Sequence, residues 1–316
     1  MSNETSPAAP TEAADTTLGK AGPILWIMAC ACVVVGILQG SYAIPFFTEY
    51  GPSALVGASI VFTFIHCAKR YGVKTFLVFL ALAFVIGNIY ENTSIATGFP
   101  FGPYHYTDSL GPKFIFTPWI INIAYFQMLY LTWTMVNTLI GHYDNRLQGK
   151  WIFIQALFSM FVMVMWDLLI DPYMSTVSNH WQWHDGGSYF GVPMSNYLGW
   201  CLCTFTMFLC WALWTSRAGA ARPTPAWTLS KANQLMICTA YFAWPLAYIL
   251  MCVFVDPSLT CTAYNGQVWN VSEIITGCTT VGLGGPVFVT AFVLVKHLLC
   301  DEGSRGMKEI GKIPPR

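Results

Sequence analysis

The sequence predicts an all-α integral membrane bundle of about eight transmembrane helices, with both termini in the cytoplasm. Hydrophobic residues make up 55% of the chain and charged residues 9%, and the mean hydropathy is +0.52. These values are typical of polytopic membrane proteins. Apolar runs long enough to cross a bilayer of about 30 Å recur along the chain. The lysines and arginines sort to one side of the path that these runs define.

The predicted spans follow the apolar runs in order. They cover residues 24–47, 52–68, 73–91, 114–140, 151–171, 193–216, 233–256 and 277–300. The first two are predicted to form a scaffold hairpin that turns at residues 49–52. The last begins near a run of glycines and a proline at residues 282–286, which would let helix backbones approach closely. Residues 1–22 are predicted to be a disordered cytoplasmic tail, 23–300 a single catalytic membrane domain and 301–316 a second cytoplasmic tail.

The charged residues support this topology. An even number of spans places both termini on one side, and every lysine and arginine of the 15 except Lys113 falls on that side, as the positive-inside rule requires. A set of acidic residues lies at or near the opposite ends of the helices: Glu49, Glu91, Asp108, Asp167, Asp171, Asp185, Asp256 and Glu273. Lys113 is the one lysine or arginine on that side, so most of these carboxyls have no nearby cation to neutralise them. Some must therefore be protonated, bound to polar neighbours or exposed to water.

Two aspartates near the end of the fifth span form the leading candidate site. Asp167 and Asp171 are four residues apart, so they share one helical face, and Pro172 marks the end of the helix. An ionisable group in a membrane-length apolar run is costly and is by default a functional-site hypothesis. The alternative for Asp171, at the helix edge, is a solvated carboxylate.

Further candidates lie at the same predicted membrane edge. Glu91 ends the third span, with a solvated carboxylate as its alternative. A loop rich in glycine, proline and aromatic residues follows it as a predicted lid. The candidates for binding a substrate are Tyr104, Tyr106, Trp166, Trp181, Trp183, Asn196 and Trp200. Membrane proteins often carry tryptophan and tyrosine as interfacial anchors, which is the alternative for each aromatic residue. A polar and aromatic stripe on the fourth span, which includes Asn122 and Tyr125, is assigned to helix packing.

The candidate residues suit acid chemistry in an apolar setting. A substrate that is a very weak base, such as an alkene or an epoxide, can be protonated only by a carboxylic acid that stays protonated in an apolar pocket. Asp167 fits that role, and Asp171 or Glu91 could orient it or take a proton back. Tryptophan and tyrosine rings would stabilise the resulting tertiary cation.

Two segments carry a resemblance to a known family. The stretches ENTSIATGFPFGPYHYTDSLGP and WDLLIDPYM followed by HWQWHDGGSYFGVPMSNYLGW resemble the signature regions of the membrane-bound carotenoid biosynthesis proteins, which include bisanhydrobacterioruberin and gamma-carotene hydratases. The resemblance is dense over residues 87–200. It implies a cofactor-free enzyme that adds water to the terminal double bond of a long isoprenoid, and by position it points to Glu91, Tyr104, Tyr106, Asp167, Asp171, Trp181, Trp183, Asn196 and Trp200.

The fourth span departs from that family, because it begins TPWIINIAYFQM rather than with a Pro-Leu-Ala-Trp-like segment. Sequons at Asn92 and Asn270, and Cys261 and Cys278 flanking one loop, are compatible with a protein of the endoplasmic reticulum that has a lumenal disulfide. We therefore expect a terpene cyclase of terpenoid or meroterpenoid biosynthesis, in which an internal group captures the cation. The alternative is a carotenoid 1,2-hydratase, and a host other than a eukaryote would place the protein in the plasma membrane.

Other function classes fit less well. His105, His180 and His184 could bind one zinc ion, but the loop between His180 and His184 holds two tryptophans, so no metal and no cofactor is expected. A transporter would place its polar residues near mid-membrane rather than at one edge. The expected partners are a lipophilic isoprenoid and the bilayer, with possible association with other biosynthetic membrane enzymes and no nucleic acid.

Overall fold

The computed structural model describes residues 18–311 and is predominantly helical. The helices are α1 Ala21–Gly40, α2 Pro45–Tyr71, α3 Val73–Thr97, α4 Trp119–Ile140, α5 Lys150–Pro172, α6 Met194–Thr215, α7 Lys231–Phe254, α8 Val271–Gly282, α9 Phe288–Leu299 and α10 Glu302–Glu309. A π-helical turn, Tyr173–Val177, extends α5, and another, Leu283–Val287, joins α8 to α9. Residues 1–17 and 312–316, parts of the two predicted tails, lie outside the described residues.

Within residues 18–311, seven helical segments are long and apolar enough to cross a membrane. They are Ala21–Gly40, Pro45–Tyr71, Val73–Thr97, Lys150–Val177, Met194–Thr215, Lys231–Phe254 and Val271–Leu299. The remaining predicted span corresponds to α4, which is 22 residues long but less apolar. Residues 125–138 of α4 are all buried, because α2, α3, α5, α7 and α9 pack around it. A helix shielded from lipid by its neighbours tolerates residues such as Gln127 and Asn137.

The predicted turn at residues 49–52 is wrong. The chain turns at residues 41–44, and α2 begins at Pro45 and contains Pro52 in its interior. A proline is favourable at a helix start, and an interior proline is tolerated in a membrane helix, so the second of the two did not mark the turn.

The glycines and proline at residues 282–286 pack α8 and the turn after it closely against α5. A Cβ atom on Gly282 would lie 2.9 Å from Cδ1 of Leu169, and one on Gly285 would lie 3.1 Å from Cβ of Met165. The predicted close approach of backbones is therefore present. It fixes the last turns of α5, where Asp167 and Asp171 lie.

Three two-stranded antiparallel sheets, absent from the sequence prediction, cross the loops at one end of the bundle. The strands are β1 Tyr104–Tyr106, β2 Lys113–Phe114, β3 Thr117–Pro118, β4 Trp181–Trp183, β5 Thr260–Thr262 and β6 Val268–Asn270. β1 pairs with β4, β2 with β3 and β5 with β6. The first of these pairs joins the loop after α3 to the loop after α5.

Candidate active site

A pocket lies at the end of the bundle where α3 and α5 finish and α4 and α6 begin. It encloses about 770 Å³, counting the space at its mouth. All ten predicted site residues line it: Glu91, Tyr104, Tyr106, Trp166, Asp167, Asp171, Trp181, Trp183, Asn196 and Trp200. The structure thus brings together residues from two loops and three helices.

The β1–β4 pair forms the lid of this pocket. Tyr104 is paired with Trp183, and Tyr106 with Trp181. Because side chains alternate along a strand, these four aromatic residues line the pocket while His105, between the two tyrosines, is directed to the other face. The hydroxyl of Thr107 donates to the backbone carbonyl of Asn179, 2.8 Å away, and holds the two loops together beyond the strands.

Glu91, near the end of α3, accepts three hydrogen bonds from tyrosines. The hydroxyls of Tyr104 and Tyr106, the latter at 2.9 Å, donate to Oε2, and the hydroxyl of Tyr125 donates to Oε1 at 2.7 Å. Burial, with the charge of Glu91 beside them, raises the pKa of Tyr104 and Tyr106 well above its usual value. Both hydroxyls therefore keep their protons and remain donors.

Tyr125 is a site residue that the sequence analysis assigned to packing. It lies on α4 one turn after Asn122, whose Oδ1 accepts a hydrogen bond of 2.5 Å from Asn88 on α3. The polar stripe of α4 therefore faces the polar end of α3. The one available signal was that stripe, in which asparagine and tyrosine follow each other at helical spacing.

Asp167 and Asp171 form a second carboxyl centre, and Asn196 joins them. Nδ2 of Asn196 donates to Oδ2 of Asp167 at 3.1 Å and to Oδ2 of Asp171 at 2.5 Å. Nε1 of Trp181 donates to Oδ1 of Asp171 at 2.7 Å. Among residues 18–311, no hydrogen bond reaches Oδ1 of Asp167. Both carboxyls are 1% exposed, so Asp167 is as buried as Asp171 and has fewer donors.

None of the ion pairs among the described residues includes these three carboxyls. The ion pair on the lid side joins Lys113 to Asp108 at 3.0 Å. A buried carboxylate without a cation is costly unless hydrogen bonds replace the lost water. Glu91 and Asp171 receive such bonds on both oxygens, whereas Asp167 receives one on a single oxygen. Of the two aspartates, Asp167 is therefore the one whose neutral form is favoured more by its surroundings.

Comparison with known proteins agrees with the resemblance. The family model for carotenoid biosynthesis proteins matches residues 51–264, about two thirds of the chain.

The chain belongs to the carotenoid biosynthesis protein family.

The chain is similar to a curated protein, bisanhydrobacterioruberin hydratase from Haloarcula japonica. The two sequences are 24% identical over 208 residues, which cover 65% of this chain and 67% of the relative. No solved structure matches the chain. The family match is longer than the dense motifs of residues 87–200, and it includes most of α2 and all of α7, which contribute to the pocket of this carotenoid biosynthesis protein.

The pocket wall is aromatic. Trp200 stacks on Tyr125 with ring centroids 5.1 Å apart, and Trp166 lies edge-on to Trp200 at 6.3 Å. Trp166 also packs edge-on against Trp244 of α7 at 5.3 Å. Trp244 lines the pocket but was not among the candidates predicted from the sequence.

The prediction that the first two spans are only scaffold is wrong for α2. Pro52, Ser53 and Val56 line the pocket. They are uncharged and carry no group that marks a site in a sequence. Their contribution follows from the position of the helix and not from their chemistry.

Several residues on the lid side have other roles than those considered. His180 is buried, and its Nδ1 lies 2.9 Å from the hydroxyl of Ser109. His105 and His184 instead contact each other, with Nδ1 of the former 2.9 Å from Nε2 of the latter. His180 and His184 therefore do not converge on a common point.

The lumenal features suggested by the sequence are not supported. Cys261 and Cys278 are both free thiols, and Cys278 is buried in α8. Asn92 lies within α3, where its side chain donates to the carbonyl of Asn88 and accepts from the amide of Phe116. A helical asparagine engaged in this way is a poor glycosylation acceptor. Asn270 caps α8 through the amide of Ser272.

Proposed function

We propose that this protein is a hydratase that adds water to the terminal double bond of a linear carotenoid, without a cofactor. The observation that carries the proposal is a buried aromatic pocket in which one carboxyl, Asp167, has one hydrogen-bond donor, while a second centre, Glu91, has three. The family and the hydratase among its relatives favour hydration over the cyclisation that we expected from the sequence.

Asp167 is the proposed acid. The π electrons of the terminal alkene form a new C–H bond with the proton of the carboxyl, and the O–H electron pair stays on Asp167 as a carboxylate. The positive charge then lies on the tertiary carbon. Asn196, which donates to both aspartates, stabilises the pair when it carries a negative charge.

The cation is stabilised by its surroundings. Rings such as those of Trp166 and Trp200 offer electron-rich faces worth about 1 to 2 kcal/mol each. Glu91, held ionised by its three tyrosines, adds a fixed negative charge in a site of low dielectric constant. Because its oxygens are occupied by hydroxyl donors, Glu91 acts in this proposal through its charge.

A water molecule completes the reaction. Its oxygen forms the new C–O bond, and its released proton passes to the aspartate pair, so that the pair holds one proton before and after each turnover. Asp171 is the proposed acceptor, with Asp167 regained as the acid by proton exchange within the pair. Atoms and charge balance without any other reactant.

We further propose that α4 spans the membrane as an eighth helix, with both termini in the cytoplasm and the lid on the opposite side. The protein would lie in the endoplasmic reticulum of a eukaryote and otherwise in the plasma membrane. Labelling with a membrane-impermeant maleimide tests the orientation, because Cys300 is exposed after α9. In sealed cells or vesicles of native orientation, Cys300 should react only after permeabilisation.

Isotope labelling distinguishes hydration from cyclisation. The purified protein in lipid nanodiscs is given a linear carotenoid, or a prenylated acceptor, in oxygen-18 water, and the products are analysed by mass spectrometry. We expect one labelled oxygen per hydrated end of the carotenoid. An unlabelled isomer of unchanged mass would instead support the terpene cyclase, and absence of any product from either substrate would reject both.

A further inference from the structure

α2 and α4 are firmly joined over their cytoplasmic halves. The Ser59 hydroxyl donates to Oε1 of Gln127 at 2.5 Å. Further along, the rings of Phe64 and Phe126 pack edge-on at 5.3 Å. These contacts, followed by a hydrogen bond of 2.9 Å from Arg70 to Asn137, hold the two helices together from residue 59 of α2 to its end.

The same helices are not joined over the halves nearest the lid. Among the described residues, no hydrogen bond or aromatic contact links residues 45–56 of α2 to residues 119–125 of α4. Both segments instead line the pocket, through Pro52, Ser53 and Val56 on α2 and Ile120, Ile121 and Ala124 on α4. The pocket therefore extends between the two helix ends, and the Ser59–Gln127 hydrogen bond joins the helices farther from the lid.

The outer surface beside this gap is apolar. On α4, Trp119 is 45% exposed and Ile123 is 37% exposed, and on α2, Phe46 is 56% exposed. Large apolar side chains exposed on a membrane helix face lipid. The lining residues beside them, such as Ser53 and Ala124, are themselves partly exposed.

The aqueous face of the pocket is closed. The β1–β4 lid covers it with Tyr104 and Trp183, which are 3% and 5% exposed. Asp167, Asp171 and Asn196 are each 1% exposed and lie on α5 and α6, away from the gap between α2 and α4. An apolar chain that enters from the side of the bundle would thus reach them end first.

We infer that the gap between α2 and α4 is a lateral opening to the bilayer, through which one terminus of a long isoprenoid reaches the acid while the rest of the chain stays in lipid. This inference rests on the proposed function for the identity of the chain. The small side chains of Ser53 and Ala124 determine the width of the opening. The two ends of a symmetrical carotenoid would therefore react in separate binding events, and a singly hydrated intermediate would be released.

Bulky substitutions at the opening test this inference. Ala124→Trp and Ser53→Trp place a large ring in the gap, and Ile123→Trp, next to Ala124 but not among the lining residues, is the control. Ala124→Leu is a smaller obstruction for use if the tryptophan variants unfold. The two substrates are a full-length linear carotenoid and a hydrocarbon of two isoprene units, which has no long tail to leave in the lipid.

We expect kcat/KM for the carotenoid to fall about tenfold or more in the two gap variants and to change less than about twofold in the control. The short hydrocarbon needs no continuous path for a long chain, so its kcat/KM should fall less than that of the carotenoid in every variant. Equal losses for both substrates, or an unchanged kcat/KM for the carotenoid in both gap variants, would overturn the lateral opening.

A binding measurement separates this inference from the proposed reaction. The carotenoid is titrated into nanodiscs containing the Asp167→Asn protein, and the circular dichroism induced in its polyene chromophore reports binding without turnover. Adding Ala124→Trp should weaken binding about tenfold, whereas adding Ile123→Trp should not. If binding responds in this way but the wild-type protein hydrates neither substrate, the opening stands and the proposed hydration fails. Equal binding in the two double variants would reject the opening.

Discussion

Two carboxyl centres share one pocket, equally buried and without a cation, yet they differ in their hydrogen-bond donors. Glu91 receives a tyrosine hydroxyl on Oε1 and two on Oε2. The aspartate pair receives the amide of Asn196 and the indole of Trp181, and Asp167 shares only the amide. Burial favours the neutral form of every carboxyl, so the donors decide which group remains charged. On this difference the proposed function assigns Glu91 the role of a fixed anion and Asp167 that of a proton donor.

The largest effect is expected when the proton donor is removed. Asp167→Asn keeps the shape of the side chain and an acceptor for Asn196 but has no acidic proton. We expect hydration to fall by about 10²- to 10⁴-fold, the usual contribution of a general acid, with an unchanged melting temperature. The rate at which oxygen-18 from labelled water enters the carotenoid measures the loss of hydration activity.

Asp256→Asn is the matched control, because Asp256 is an exposed loop acid bound to Ser258, and it should leave the rate unchanged. An Asp167→Asn protein with more than a tenth of wild-type activity would remove Asp167 from the role of acid.

The next effect is expected at the fixed anion. Glu91→Gln removes the charge and places an amide donor against tyrosine hydroxyls that already donate. We expect the rate to fall by about 10²-fold through loss of electrostatic stabilisation, together with a loss of about 1–3 kcal/mol in the free energy of unfolding from the mismatched donors. Kinetics and thermal unfolding of the same preparation measure both quantities.

Glu49→Gln is the control for Glu91, since Glu49 is exposed near the start of α2. If the Glu91→Gln protein were less stable but kept its rate, the hydrogen bonds from the three tyrosines would contribute only to stability. Glu91 would then have no part in the reaction.

A smaller effect is expected at the second aspartate. Asp171→Asn removes the proposed proton acceptor but leaves Asp167, which can itself take a proton back after protonating the alkene. We expect about a tenfold fall in rate, less than for Asp167→Asn. Hydration rates of the Asp167→Asn and Asp171→Asn proteins, measured with equal amounts of folded protein, test which substitution is the more severe. If Asp171→Asn were the more severe substitution, the roles of the two aspartates would be exchanged.

The sequence predicted the carboxyl candidates better than their surroundings. Costly acids in apolar runs are visible in a sequence, and helical spacing places Asp167 beside Asp171. The β1–β4 pairing is not visible, because residues 107–180, which include the whole of α4 and α5, separate the two strands. Two three-residue strands also carry too little periodicity to predict a register. Tyr125 was missed because a tyrosine in a helical stripe has the same pattern whether it packs or binds a carboxylate.

Fold predictions failed where two physical rules competed. A Gly-Pro pair usually marks a turn, but residues 51 and 52 continue α2 because an interior proline is tolerated within a membrane helix. α4 is the predicted span that is not among the seven long apolar segments. Its buried residues 125–138 include polar side chains such as Gln127 and Asn137, and the packing that buries them is not visible in the sequence. The Asn92 sequon lies in a helix that the sequence predicted to end at residue 91 and that continues to Thr97.

The smallest effect on the hydration rate is expected from acidification, which acts on the lid that supplies donors to both centres. Burial lowers the pKa of His180 from 6.5 to about 4, and its Nδ1 lies 2.9 Å from the hydroxyl of Ser109. A histidine whose pKa is lowered in the folded state takes up protons more readily when the lid opens. Its contribution to lid stability is therefore complete above pH 6.5 and is lost as the pH falls toward 4, by an amount of order 3 kcal/mol at most.

Hydrogen exchange of the lid amides measures this loss, and we expect exchange of residues 104–107 and 181–184 to accelerate between pH 6.5 and 4 after correction for the intrinsic rate. His180→Gln should remove the acceleration. His105→Gln is the control. Burial and the neighbouring His184 also lower the pKa of His105, but His105 is partly exposed, so its loss should leave the transition in place.

Opening of the lid should weaken both carboxyl centres together, because Tyr104 and Tyr106 donate hydrogen bonds to Glu91 and Trp181 donates one to Asp171. A transition confined to one of the two strands would show that the lid does not open as a unit and that the two centres can be lost separately.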